Sequence, residues 1–241
     1  MATAAGRITV NPLSAETYGM RIALLGGTGD IGRGLALRWG RDTDHELLIG
    51  SRDPEKARER ADDYTSELAD RGVEARFKGF ENAMAADRAD VVVLAVPAYH
   101  LVDTVEAVAD RLDSETVLVT PAVGMQRDED GFHYNRPGAG SVAALAASAK
   151  PDDVPLVGAF HNLPAAGLAD LDSEFDWDTL VFGEDDDATA TVSELAAEID
   201  GLRPLDAGGL ANAPEVEAVT PLLINLAMNN DDLHDLGVKF W

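Results

Sequence analysis

From residue 21 onward, short apolar runs alternate with longer amphipathic stretches, which predicts parallel strands joined by helices. Strands are expected at 21–25, 46–51, 73–77, 90–96, 116–120 and 154–160, the fourth so uniformly apolar that it should be buried on both faces. Helices are expected between them at 32–41, 54–71, 100–112 and 139–150; Pro54 and Glu55 suit the first turn of the second. The texture changes near residue 160. Beyond it come a proline-bearing turn at 161–164, a strand at 179–183, a helix running from an acidic start at 184–187 to about residue 200, a strand at 202–205, an apolar helix at 214–228 and a short tail at 236–241. Residues 1–19 show neither a helical nor a strand period and read as a disordered extension ahead of a functional start at Met20.

The first strand runs into Gly26-Gly27-Thr28-Gly29-Asp30-Ile31-Gly32, where Gly27, Gly29 and Gly32 supply the spacing G-x-G-x-x-G ahead of a helix. That spacing suits a dinucleotide pyrophosphate: a tight turn, close backbone approach, and free helix N–H groups facing the anion. A nicotinamide site places its ribose-reading residue about 20 residues further on. There the chain offers Ser51, Arg52 and Lys56 in place of the Asp or Glu that reads a free 2′-hydroxyl. A hydroxyl, a guanidinium and an ammonium suit a 2′-phosphate, so the expected cofactor is NADP(H). The expected fold class is α/β: a Rossmann-like doubly wound, mostly parallel sheet forming an NADP-binding domain over 20–160, with a small C-terminal α/β part over 161–241.

Composition narrows the remaining classes. There is no cysteine, which excludes disulfides, thiolate nucleophiles and Cys-ligated metals. No apolar run approaches the roughly 20 residues of a membrane span, and 1–19 lack a leader pattern, so a cytoplasmic protein is expected. The formal net charge is −25, with four Lys against fifteen Arg. Such a surface repels nucleic acid and suits a protein kept soluble in molar salt, a halophilic type. Seven of the nineteen basic residues nevertheless fall between Arg33 and Arg60, which predicts local positive potential beside the nucleotide. The run Asp185-Asp186-Asp187 reads as a set of helix-dipole partners, and no metal site is expected.

Longer motifs carry a resemblance. The chain is similar to the NADP-dependent reductases of coenzyme F420, the 8-hydroxy-5-deazaflavin, through Ala23-Leu24-Leu25-Gly26-Gly27-Thr28-Gly29, Gly50-Ser51-Arg52 with Lys56, Val96-Pro97, and His161 followed by Leu163-Pro164-Ala165-Ala166. Further motifs are Phe175-Asp176-Trp177-Asp178, the stretch 198–208 and Leu236-Gly237-Val238-Lys239-Phe240, so the likeness spans 20–241. It implies hydride transfer between NADP(H) and coenzyme F420 as co-substrate. By resemblance, Gly27, Thr28, Gly29, Asp30, Ile31 and Gly32 hold the pyrophosphate, and Ser51, Arg52 and Lys56 the 2′-phosphate. Val96, Pro97, Ala98 and Val102 line the nicotinamide side, with Ala165 at the inner end of the pocket. His161, Leu163 and Leu236 lie near the deazaflavin. The chain departs from the family at Ala98, where an aromatic is familiar, at Asn162, where a Thr is, and by one extra residue between Arg38 and His45, which should lengthen a surface turn.

Transfer between two stacked rings needs positioning above all, and no catalytic triad, H-x-x-x-H pair or dedicated general base is evident. His161 either contacts the deazaflavin or fixes the turn before Pro164; Trp177 reads as core. Small-molecule cofactors are the only partners expected besides a second copy, a homodimer through Val219, Leu222, Leu223, Leu226 and Ala227. Two alternatives share the first half. A hydroxyacid or imine reductase usually carries a long helical second domain with a catalytic Lys, whereas only Lys150 and Lys239 follow residue 80 here. A non-catalytic NADP-binding redox sensor would bind NADPH without deazaflavin turnover.

Overall fold

The computed structural model describes residues 19–241; the extension expected at 1–19 lies outside them but for Gly19. Three strand–helix units come first: β1 (Arg21–Leu25) with α1 (Asp30–Asp42), β2 (Glu46–Ser51) with α2 (Pro54–Ala69), and β3 (Arg76–Glu81) with α3 (Asn82–Ala86). Next come β4 (Val91–Leu94), α4 (Ala98–Val108), β5 (Val117–Thr120), a hairpin of β6 (Met125–Asp128) and β7 (Gly131–Tyr134), and α5 (Val142–Ala149). Then follow β8 (Leu156–Gly158), α6 (Ala165–Ala169), β9 (Trp177–Gly183), α7 (Asp186–Ala197), β10 (Leu202–Asp206), α8 (Ala213–Glu217) and α9 (Val219–Asn229).

Eight strands form one sheet in the order β3-β2-β1-β4-β5-β8-β9-β10. All neighbours from β3 to β8 are parallel. β9 then runs antiparallel to β8, and β10 parallel to β9, so the sheet continues past residue 160 with its last two strands reversed. The order turns back on itself between β1 and β4, which opens a crevice at the carboxyl ends of those strands. Side chains of β4 alternate between two cores, as a period of two requires. Val91 and Val93 join the core under α1, α2 and α7; Val92 and Leu94 join the one under α4 and α5.

Two expectations are corrected, and two elements were not expected. The third strand is 76–81, not 73–77: the N–H of Val73 donates to Leu68 O (2.9 Å) to close the end of α2, and Val73 packs on the core from a loop. The polar stretch around 125–134 forms the hairpin, and 82–86 a short helix capped by the Glu81 carboxylate. The apolar helix expected at 214–228 breaks into α8 and α9 at Ala218. Pro221 has no N–H to continue the ladder onto Glu217 O and crowds that carbonyl.

Candidate active site

The turn after β1 is shaped by two close approaches. Gly26 adopts φ +80°, and a Cβ there would stand 2.5 Å from Ala95 O; a Cβ on Gly32 would stand 2.6 Å from Gly27 Cα. A larger residue at Gly32 would push α1 away from the turn, and one at Gly26 would push the turn away from the end of β4. No side chain caps α1 at Gly29, so its first N–H groups remain free for an anion. The turn is also held from behind. Tyr64, buried on α2, donates its hydroxyl to Gly27 O (2.9 Å), a support the sequence pattern did not reveal because Tyr64 reads simply as part of an apolar helix face.

At the second βα turn, Asp53 caps α2 by accepting the N–H groups of Glu55 and Lys56 (3.0 and 3.4 Å), while Ser51 Oγ accepts from Asp53 N (3.1 Å). Arg52 and Lys56 are exposed and stand in no ion pair among the described residues. Much of the basic cluster, however, is already committed. Arg33 pairs with Glu67 (2.8 Å), Arg41 with Asp42 (2.6 Å) and Arg60 with Asp63 (3.0 Å). Arg38 is buried on α1, its pKa lowered by that burial, and donates to Leu168 O (2.8 Å) and Asp170 O (2.5 Å) at the end of α6. Of the seven basic residues over 33–60, only Arg52, Lys56 and Arg58 have side chains in neither an ion pair nor a hydrogen bond among the described residues.

A cavity of about 1050 Å³ lies over the carboxyl ends of β1, β4, β5 and β8. Gly29, Asp30 and Ile31 form its edge beside the phosphate turn; Val96, Pro97 and Ala98 follow β4; His161, Leu163 and Ala165 follow β8; Leu236 comes from the tail. Ten of the residues expected from the sequence are thus brought together. Gly27, Thr28 and Gly32 lie behind the turn, Ser51, Arg52 and Lys56 at the neighbouring one, and Val102 one turn into α4, outside the lining. The sequence did not point to Pro121, Ala122 and Val123 after β5, Met125 of the hairpin, or Thr220, Leu223 and Ile224 of α9 as part of this wall. They carry no motif and converge only through the fold. The lining is mainly apolar and, among the described residues, includes neither lysine nor arginine.

His161 is the chief polar feature. It follows Phe160, which holds φ +67°, an uncommon backbone conformation for an aromatic residue. Phe160 is kept there by its N–H donating to Thr179 Oγ1 (3.0 Å) and by an edge-to-face contact with Trp39 at 5.6 Å. The His161 ring stacks on Phe182 at 5.3 Å, and its carbonyl accepts from Thr220 Oγ1 (2.7 Å). Both ring nitrogens are buried without a partner among the described residues. Burial pushes the pKa down to about 3, so the imidazole is neutral and offers one donor and one acceptor. Asn162 is committed elsewhere, donating to Asp178 O (2.7 Å). Asp185 caps α7 through Ala188 N (2.8 Å), and among the described residues no group of three or more His, Asp and Glu converges as metal ligands.

Residues 21–124 match the family described as NADP oxidoreductase, coenzyme F420-dependent. The F420-dependent NADP reductase of Methanocaldococcus jannaschii is 40% identical over 212 residues, covering 86% of this chain and 92% of the relative. That of Methanothermobacter marburgensis is 39% identical over 222 residues, 91% and 97% of the two chains. A solved structure from Arthrobacter sp. FB24, assigned as an F420-dependent NADP reductase, superposes with a TM-score of 0.71 at 25% identity, covering 88% of this chain and 94% of that one. A pyrroline-5-carboxylate reductase from Coxiella burnetii shares the fold at 17% identity, with a TM-score of 0.58 over 87% and 68%. Crevice, phosphate turn and relatives agree: the chain belongs to the family of F420-dependent NADP reductases.

Proposed function

We propose that this protein transfers a hydride between NADP(H) and coenzyme F420, the two held ring against ring in the cavity over β1, β4 and β8. The observation that carries the proposal is that single cavity of about 1050 Å³, which begins at the phosphate turn and ends at His161 and Leu236. Its size lies at the upper limit of ordinary small-molecule pockets, of about 300–1,000 Å³, as two ring systems require.

In this reading the N-terminus of α1 with Gly27, Thr28 and Gly29 takes the pyrophosphate. Arg52, Lys56 and the Ser51 hydroxyl take the 2′-phosphate as charge-assisted contacts. Val96, Pro97 and Ala98 back the nicotinamide, and Ala165 limits its depth. The two unpartnered nitrogens of His161 fit the polar edge of a heterocycle, and Leu163 and Leu236 fit its faces. When bound, the deazaflavin carries a hydride on a ring carbon and exchanges it with nicotinamide C4. The chain's own residues fix the two rings and exclude water, which can supply on the order of 7–11 kcal/mol of the barrier at best. No side chain transfers a proton in this account.

A homodimer through α9 belongs to the same proposal. Leu222 and Leu226 stand 56% and 41% exposed on its outer face, beside exposed Met228, and a monomer by light scattering in molar salt would remove it. The activity is tested by mixing NADPH with oxidised coenzyme F420 and following loss of deazaflavin absorbance. Replacing Arg52 by Ala is expected to raise KM for NADPH by about tenfold to a hundredfold, the equivalent of about 1.5–3 kcal/mol for a charged hydrogen bond, with KM for NADH unchanged. Equal effects on both cofactors would assign Arg52 to the fold.

A further inference from the structure

Asp178 has a fully buried carboxylate at the start of β9, and that one residue is bonded to both walls of the cavity's far half. On one side its carbonyl accepts from the side chain of Asn162 (2.7 Å), the neighbour of His161. On the other it holds the tail. Its N–H donates to Val238 O (2.7 Å), pairing the two residues as an antiparallel bridge, and its Oδ2 accepts from Phe240 N (2.6 Å). Arg203, its partner across the strands in β10, donates to both carboxylate oxygens (2.8 Å each) and to Phe240 O (2.5 Å). Lys239 completes the cluster at 3.4 Å from Oδ1 and also pairs with Asp176.

The tail has little freedom in this clasp. Gly237 lies flat against the Trp177 indole, where any Cβ would overlap the ring. The residues just before it, Leu233 to Leu236, line the cavity, with Asp235 at φ +46° turning the chain inward. Charge-assisted bonds to a carboxylate are about twice as strong as neutral ones, and Arg203 and Lys239 hold this carboxyl ionised, with its pKa lowered to about 2. Hydrogen-bond support of this kind is what keeps a binding constellation within the fraction of an ångström that positioning needs.

We infer that Asp178 is a positioning residue for the deazaflavin: it sets the separation between His161 with Leu163 on one wall and Leu236 on the other. This rests on the assignment of that half of the cavity to coenzyme F420. Among the described residues, the nicotinamide half, built on β1 and β4, has no hydrogen bond to the clasp, so the two substrates should respond differently when the clasp is loosened.

Two variants test the inference. Asp178→Asn removes the charge, and Phe240→Pro removes one N–H of the tail while leaving the buried Asp178–Arg203 pair intact should the first variant fail to fold. Both are expected to raise KM for coenzyme F420 tenfold or more while KM for NADPH stays within twofold. Amide exchange of the ligand-free protein should accelerate across 233–239 and stay unchanged at the turn after β1. A residue serving only stability would lower the amount of active enzyme and the melting temperature with both KM values unaltered; that result, or a joint rise of both KM values, overturns the inference. If the unsubstituted protein turns over no deazaflavin, the functional reading fails, and the clasp itself then stands or falls on the exchange data.

Discussion

Burial leaves His161 with a neutral ring and two unpartnered nitrogens, and this has a thermodynamic sign. Its pKa is about 3 in the folded protein against about 6.5 in an unfolded chain. Between those values the unfolded state binds a proton that the folded state does not, so stability falls as pH drops through the window from about 6.5 toward 3. Ligand-free protein should therefore melt at progressively lower temperature below pH 6.5, and His161→Phe, which keeps a ring against Phe182, should flatten that slope. Equal slopes for the two proteins would show that the imidazole is hydrated in solution. At this scale the sequence was legible where local spacing sets the backbone, as in the close-packed glycine turn after β1. It was not legible where a side chain's role is set by a distant partner. Arg38 and Arg33 sit in the same basic stretch as Arg52, yet one is consumed by the carbonyls of α6 and the other by Glu67. Tyr64 supports the phosphate turn from 37 residues away in sequence.

Among the elements, the hairpin and α9 form the wall least visible beforehand. Asn225 of α9 grips Phe132 by both main-chain groups, accepting from its N–H (2.8 Å) and donating to its carbonyl (2.7 Å). Glu217 at the end of α8 ties the same hairpin to α5. Its buried carboxylate accepts from Val142 N and Ala143 N (2.9 Å each) and from the Tyr134 hydroxyl (2.7 Å). Desolvation raises the Glu217 pKa despite these donors, and burial beside Glu217 pushes the Tyr134 hydroxyl above its ordinary range. Glu217→Gln turns an amide N–H₂ toward one of the donors and leaves it unpaired, a cost of about 1–3 kcal/mol, to be read as a lower urea midpoint with unchanged m-value. No shift would mean that water replaces the carboxylate there. Strands β1 and β2 coincide with the apolar runs at 21–25 and 46–51 because central strands must be apolar on both faces. Edge strand β3 is half exposed and blurred into its neighbours, and a two-stranded polar hairpin carries no such run.

The whole molecule carries a formal charge of −25 and is proposed to bind two anions. Long-range repulsion acts over a Debye length of about 30 Å at 0.01 M salt and about 3 Å at 1 M, whereas close contacts at Arg52 and Lys56 are screened less. Turnover and melting temperature are accordingly expected to rise with potassium chloride into the molar range. Full activity and stability at about 0.05 M salt, with inhibition above it, would contradict this account. The alternation of strands and helices was legible through most of the sheet order, because parallel connections leave few choices. The reversal of β9 and β10 was not, since nothing in an isolated strand records its direction.

The absence of lysine and arginine from the cavity lining has a consequence for what the protein can read. Away from the N-terminus of α1, a phosphate or carboxylate group drawn into that apolar space would lose its hydration with no lysine or arginine among the described lining residues to replace it. On the proposed function, the ionised stem of the deazaflavin is therefore expected to stay in solvent beyond the mouth while the ring enters. Coenzyme molecules that trail different numbers of glutamates are then expected to be turned over with similar KM values, and a KM for coenzyme F420 that changes with the length of the appendage would contradict this.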